Sequence, residues 1–333
     1  MQSVGFQPAD PIAIWAVSDG RAGIENQALG LAEAIGRRTP ARIVRKHVRL
    51  RSPWAWLPPG FTPWPRHALT DESDRIDRPW PDIFIGCGRA SIPFAMGMRS
   101  WTNGRTLVVQ VQDPRVNPRE FDIVLPPEHD GMEGANVVPL IGAPHRVTLE
   151  RIAADAAAYP RVLPALPGPR MAVLIGGKSK RQDISARRAR LIAQDLAALK
   201  METGGSLLVT LSRRTGARAR KAFEVALKPH AALYFEGEGP NPYFAMLAAA
   251  DVILVTADSV NMAAEAAATG KPILLLPVDG TAGKLARFHE ALVASGAARW
   301  HVGAYETWTY PPLSETDRAA DIVLAALAKR RAS

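Results

Sequence analysis

Short apolar runs alternate with helical patterns along most of this chain. Residues 12–17, 43–48, 83–85, 106–111, 121–125 and 137–141 read as strands, with helices over 24–35 and near 92–98. The alternation resumes further on. Strands are expected at 171–175, 206–211, 232–235 and 252–255, and in the apolar stretch before Pro277. Helices are expected at 184–199, 217–227, 243–249, 284–294 and 314–331. Runs without polar alternation mark strands buried on both faces, as in parallel sheets, and strands separated by helices make βαβ units. At the last helix, Ser314 and Asp317 have capping-box spacing, and Lys329, Arg330 and Arg331 suit its negative end.

Two interruptions organise the pattern. Residues 160–169, PRVLPALPGP, hold four prolines in ten positions and read as a linker. The expectation is a domain over 1–160, a second over 170–310, and a last helix, 314–331, packing back on the first. The other break, 51–67, sets Trp54, Trp56, Phe61 and Trp64 among five prolines. A proline-stiffened loop that tucks its tryptophans onto the domain is expected. The alternative is a loop entering a membrane interface, since Trp and Arg favour the headgroup layer.

Composition narrows the class. A length of 333 residues favours two domains, and 47% hydrophobic with 22% charged residues suits a globular enzyme. Cys87 is the single cysteine, so no internal disulfide can form, and its apolar setting predicts a buried core residue. The seven histidines lack metal-site spacing, and no metal is expected. The first residues lack the pattern of a secretory signal and no stretch is long enough to span a bilayer, so a cytoplasmic protein is expected. A net charge of +9, from 41 basic and 32 acidic side chains, favours anionic partners. Seven Arg and Lys residues between 37 and 51, with no acid among them, read as a solvated basic face.

In parallel sheets ligands bind beyond the carboxyl ends of the strands. In the second half that rule selects Gly176, Gly177, Lys178 and Ser179, then Ser212 and Arg213, then Asp258, Ser259 and Asn261, and finally Lys284. Glycine amides and these cations could cradle a diphosphate. Asp258 and Ser259 are expected to cap the helix that follows, whose first amides would attract phosphate. Glu265 lies seven residues after Asp258, about two helical turns along, where a carboxylate could accept both ribose hydroxyls. Neither GxGxxG nor GxxxxGK[ST] is present, which disfavours a dinucleotide dehydrogenase or P-loop ATPase. In the first half the loops carry acids, Arg and His, and suit a hydroxyl acceptor with a general base. Asp19, Asp113 and His129 are the catalytic candidates, each of which could instead simply stabilise its own turn.

The runs SDGRAGIENQALGLAEAIG, VQDPR, FDIVLPPEHD, LIGGKSK, GPNPYFAMLAAAD and VTADSVNMAAEAAATGKP carry a family resemblance over nearly the whole chain. Together they resemble the plant mitochondrial fission proteins of the "elongated mitochondria" family. Its bacterial relatives carry the label nucleoside-diphosphate-sugar epimerase. The resemblance implies a GT-B-like α/β fold: two facing Rossmann-like, doubly wound domains with a central cleft. Residues 256–277 also resemble the donor-site helix of the transferase that adds N-acetylglucosamine in peptidoglycan synthesis, with Glu265 on the ribose-binding glutamate. The first loop of such transferases has a histidine base, whereas SDGRAG has none, and Asp19 is the nearest substitute.

The resulting expectation is a metal-independent, GT-B-type enzyme without a required cofactor. It would bind a nucleoside-diphosphate sugar as substrate and transfer the sugar to a hydroxyl acceptor. The alternatives are an epimerase on the same fold and a non-catalytic recruitment protein. Peripheral contact with the inner face of an anionic membrane is a further expectation, and no nucleic-acid partner is expected.

Overall fold

The computed structural model describes residues 10–62, 64–157, 163, 165–179 and 181–332. Part of the expected linker, 160–162 and 164, lies outside them. In chain order the elements are β1 (Ile12–Ser18), α1 (Ala22–Gly36), β2 (Ala41–His47), β3 (Ile83–Cys87), α2 (Ile92–Trp101), β4 (Leu107–Val111), β5 (Ile123–Leu125) and α3 (Leu149–Ala157). Then follow β6 (Arg170–Ile175), β7 (Gln182–Asp183), α4 (Ala186–Thr203), β8 (Ser206–Leu211), α5 (Ala217–Ala226), β9 (Ala231–Phe235) and α6 (Tyr243–Ala249). The chain continues through β10 (Val252–Thr256), α7 (Val260–Ala267), β11 (Ile273–Leu276), β12 (Asp279–Gly280), α8 (Leu285–Ala294), β13 (Ala298–Trp300) and α9 (Glu315–Ala332).

Two units result. The first holds the residues up to Arg146 and those from Glu315 onward; the second is Val147–Ser314. The division therefore falls ahead of the proline-rich stretch, and α3 belongs to the second unit, where it packs on α6.

The first unit is a parallel five-stranded sheet in the order β2-β1-β3-β4-β5. Successive side chains of a strand face opposite ways. Ile12, Ile14 and Ala16 enter one core with α1 and α9, while Trp15 and Val17 enter the other with α2. The expected strand at 137–141 is reduced to two isolated bridges, Val124 with Val137 and Pro127 with Leu140. Pro139 lies between them and cannot donate to a ladder. Helix α1 approaches the chain closely at Gly30, where a Cβ would lie 2.4 Å from the His145 carbonyl oxygen.

Helix α9 docks on α1 through Ala319, Ala320, Val323 and Leu327, one stripe at helical spacing. Burying the Val and Leu alone is worth about 1.5–3 kcal/mol each. Around the stripe, Arg37 and Arg38 reach Asp317, and Arg38 also pairs with Asp321. These exposed pairs add about 0–1 kcal/mol apiece, so apolar packing sets the docking. The pairs also change two expectations. Asp317 serves the arginines and Ser314 Oγ donates weakly to the Pro312 carbonyl, so the expected capping box is not made. The basic run from 37 to 51 is partly neutralised: besides these pairs, Arg45 meets Glu25, Arg49 meets Glu72, and Lys46 lies over the Trp15 ring.

The second unit is a parallel six-stranded sheet in the order β13-β11-β10-β6-β8-β9. Met171, Val173, Ile175, Val209 and Leu254 pack with α4 and α5 on one face, and Leu208 packs with Ala245 and Met246 of α6 on the other. From β6 the chain winds outward through β8 and β9, then returns to β10 on the other side of β6. The order therefore reverses between β6 and β10, where doubly wound sheets bind ligands. A two-stranded antiparallel ladder, β7 with β12, ties the segment after β6 to that after β11. Among the described residues no helix is long and apolar enough to cross a membrane.

Candidate functional site

The expected ligand loops of the second unit leave four consecutive strands, β11, β10, β6 and β8. The structure therefore brings Gly176–Ser179, Ser212–Arg213, Asp258–Asn261 and Lys284 to one end of one sheet. Their hydrogen bonds differ from a phosphate cradle. The Gly176 amide donates to Thr256 Oγ1 at 2.7 Å and the Gly177 amide to Asp258 Oδ2 at 2.8 Å. The Lys178 amide donates to the Arg214 carbonyl and that of Ser179 to the Gln182 carbonyl, at 3.1 and 2.8 Å. All four amides of the loop are thus engaged within the protein. The two glycines are required by packing on neighbouring loops. A Cβ on Gly176 would lie 2.2 Å from the Asp258 carboxylate, and one on Gly177 2.2 Å from the Arg214 backbone.

Asp258 is the hub of this contact and does not cap α7. Its side chain is 0% exposed, with an Arg214 guanidinium 3.5 Å away. Burial raises its pKa, opposed by the Gly177 amide, the Thr256 hydroxyl and Arg214. Ser259 occupies the N-cap position without a side-chain cap bond. Behind this loop the buried His289 places Nε2 2.8 Å from the Ala257 carbonyl. Lys178, Arg213 and Lys284 are exposed, and Ser212 Oγ accepts from the Arg214 amide. The cations expected here are therefore side chains at the rim, around a neck that is internally bonded.

Glu265 lies in α7, and Tyr243, the first residue of α6, donates its hydroxyl to Glu265 Oε2 at 2.5 Å. Burial pushes the Glu265 carboxyl up to about 7, against the pull of Tyr243 and of Arg151 from α3. Burial and the facing carboxylate drive the Tyr243 phenol well above its usual range. A half-buried carboxylate with a raised pKa is unusual for structure alone and common at sites of binding or proton transfer. By contrast, Lys271 of the nearby TGKP turn is structural. Its ammonium donates to the Leu247 and Ala248 carbonyls at the end of α6, and burial lowers its pKa to about 8.

In the first unit the sheet order reverses between β1 and β3. A cavity of about 530 Å³ opens there, lined by Asp19 and Arg21 after β1, Arg49 after β2 and Arg89 after β3. A smaller one of about 290 Å³ shares Asp19 and Arg21 and adds His47 and Glu72. Both Asp19 oxygens bind Arg21, one through its amide and one through its guanidinium. Asp113 does the same with Arg115 after β4, a self-stabilised turn. His129 is buried in a single turn after β5. At about 4.8 Å per strand spacing, Asp113 stands two strands and His129 three strands from Asp19, roughly 10 and 14 Å across the sheet. The three expected catalytic residues do not form one constellation.

A different pair does gather beside Asp19. His47 Nε2 lies 2.6 Å from Glu25 Oε1, and its ring is 3.7 Å from the position a Cβ on Gly20 would take. The β1–β2 register explains this, since Ser18 pairs with His47 at the strand ends. A histidine from the neighbouring strand therefore stands beside SDGRAG. Its signal was the parallel pairing of consecutive strands, which aligns their carboxyl ends. Cys87 is buried as expected, with burial pushing its thiol pKa up and Sγ 3.6 Å from Gln27 Oε1.

Two parallel α/β units, each with polar loops at a reversal of strand order, define a protein of the GT-B-like class. The sequence match is more specific: the description Mitochondrial fission ELM1 fits residues 22–327, and the chain belongs to that family. It is 32% identical over 277 residues to the mitochondrial fission protein ELM1 of Arabidopsis thaliana, covering 75% of this chain. The match spans only 65% of that relative's length. Identity to RP120 of Rickettsia prowazekii is 26% over 361 residues, covering 94% of this chain and 98% of that one. Among solved structures, a candidate UDP-N-acetylglucosamine 2-epimerase from Listeria monocytogenes superposes with a TM-score of 0.59 at 12% identity, covering 96% of this chain and 97% of the other. The Neisseria meningitidis UDP-GlcNAc 2-epimerase bound to UDP-GlcNAc gives 0.54 at 14% identity, covering 95% and 99%. These two likenesses establish the fold.

Proposed function

We propose that the second unit binds a nucleoside-diphosphate sugar and that the protein transfers the sugar to a hydroxyl acceptor. The observation that carries the reading is Glu265: a half-buried carboxylate with its pKa raised to about 7, one helix away from loops at the strand-order reversal. In this reading Glu265 accepts the ribose hydroxyls. Lys178, Arg213 and Lys284 meet the diphosphate from the rim, with Ser259 and Asn261 at the start of α7. Charge on the departing diphosphate is then balanced by fixed cations, and the step calls for no metal or cofactor. In the first unit, Asp19 and His47, the latter held by Glu25, border the smaller cavity, which would hold the acceptor. Glu25 holds Nε2 of His47, which leaves Nδ1 to take a proton from the acceptor hydroxyl.

Epimerisation is the second reading, supported by the fold shared with the Neisseria 2-epimerase. Titration calorimetry with UDP, ADP, GDP and TDP and their common sugars tests the binding claim. Micromolar to millimolar binding of at least one is expected, weakened in Glu265→Gln. Failure of all of them at millimolar concentration rejects the reading. Product analysis of the bound sugar, with and without simple hydroxyl acceptors, separates transfer from epimerisation.

A further inference from the structure

The segment after β2 does not behave as the sequence leads one to expect. Trp56 is 81% exposed, Phe61 71% and Trp64 67%, and only Trp54 is half-buried. With Leu57, four of the eleven exposed large apolar side chains of the described residues fall between positions 56 and 64. Scattered single exposures need no explanation, but a cluster of this kind marks a contact surface. The loop is also continuous with the larger cavity of the first unit. Ala55 lines that cavity, and Arg89, another lining residue, donates to the Leu57 carbonyl at 2.5 Å.

The cavity is amphipathic. Val48, Leu50 and Ala55 form apolar wall, and Arg21, Arg49 and Arg89 bring three guanidiniums. Arg21 pairs with Asp19 and Arg49 with Glu72, whereas Arg89 meets only a carbonyl among the described residues. Guanidinium forks match phosphate oxygens in pairs, and can trade an exposed carboxylate for them at small cost because such pairs are weak. Exposed tryptophans favour the headgroup layer of a bilayer.

We propose that this face docks on an anionic membrane, with Trp56, Phe61 and Trp64 in the interface and a lipid phosphate headgroup in the arginine-lined cavity. The test is co-sedimentation with phosphatidylglycerol–phosphatidylcholine vesicles against pure phosphatidylcholine, in 0.1 M salt and without nucleotide. Because no nucleotide is present, the outcome is independent of the sugar-binding reading. The full chain should bind the anionic vesicles. Replacing Trp56, Phe61 and Trp64 with Ser should cut binding at least about tenfold with little change in melting temperature, since these side chains bury little. The pair Arg21→Gln and Arg49→Gln should cut it by about tenfold or more, and glycerol phosphate should compete. Retention by the arginine variant places the headgroup elsewhere and overturns the proposal, as does absence of vesicle binding by the native chain. Binding of glycerol phosphate without any vesicle binding also overturns it, in favour of a soluble phosphate ligand.

Discussion

Replacing Glu265 by Gln probes whether the proposed donor site holds a carboxylate that is costly to ionise. Burial raises the carboxyl from about 4.5 to about 7. The folded state therefore binds more protons than the unfolded chain between those values. Stability contributed by the group is intact below about pH 4.5, declines as pH rises through 7, and stays low above it. At 1.36 kcal/mol per pH unit, keeping the buried group ionised costs on the order of 3 kcal/mol at pH 8. Glutamine keeps an oxygen for the Tyr243 hydroxyl and carries no charge to desolvate. Glu265→Gln should thus raise the melting temperature at pH 8 by roughly 6–12 °C, at about 2–4 °C per kcal/mol for a unit of this size. It should change little at pH 4.5. Nucleotide binding should respond the other way. Ribose hydroxyls donate to the ionised carboxylate, so affinity for the best nucleotide should climb as pH rises through 7 in the native protein. In the variant it should be flat and lower by about 1.5–3 kcal/mol. Paired melting curves and titrations at pH 4.5, 6 and 8 measure both. A variant equally destabilised at every pH would refute the buried-charge reasoning. A stabilised variant with unchanged affinity would leave the charge real and the ribose role wrong.

Two further outcomes test the neck of the second unit. Asp258→Ala strands the buried Gly177 amide and should cost about 1–3 kcal/mol by thermal melting, whereas Asp258→Asn, whose amide oxygen still accepts, should recover most of it. Equal losses in both would show that the charge, not the hydrogen bond, matters. Gly177→Ala puts a Cβ 2.2 Å from the Arg214 backbone, which cannot swing aside as a side chain can, so a loss of about 1–3 kcal/mol or more is expected. An unchanged melt would mean that the Ser212–Thr215 turn yields freely.

The sheets were legible in the sequence because parallel strands buried on both faces leave unbroken apolar runs. Val252–Thr256 and Ile273–Leu276 are examples, buried at every position. Elements whose run was too short or too polar were missed. The strand Ala298–Trp300 has three residues and exposes two, and the β7–β12 ladder pairs two polar residues with Asp and Gly. Helix α3, just before a proline-rich stretch, fully buries only Ile152. In the first unit, Asp19 was visible as a strand-end acid, while His47 depended on register: it adjoins SDGRAG only because β2 runs parallel beside β1. The exposure of Trp56 and Trp64 was opposite to expectation. Proline limits backbone conformation but says nothing of which side an aromatic faces.

The same distinction governs how a diphosphate could be held. The sequence GGKS suggests a glycine loop that offers its amides, yet each of those amides already has an acceptor at 2.7–3.1 Å. One of these acceptors is the Asp258 carboxylate, an anion set at the point where an incoming phosphate would be drawn. A phosphate entering there would have to displace Asp258 and meet its buried charge. Gripping from outside avoids both costs: Lys178, Arg213 and Lys284 are exposed at the ends of strands on either side of the neck, and long flexible cations reach an anion without breaking the loop. On this reasoning affinity rests on side-chain charge and should fall steeply with salt, whereas a backbone cradle in a desolvated pocket is screened far less. The glycines then serve close packing of the loop after β6 against those after β10 and β8, and in the proposed reading specificity passes to Glu265, whose ionised form burial also makes costly.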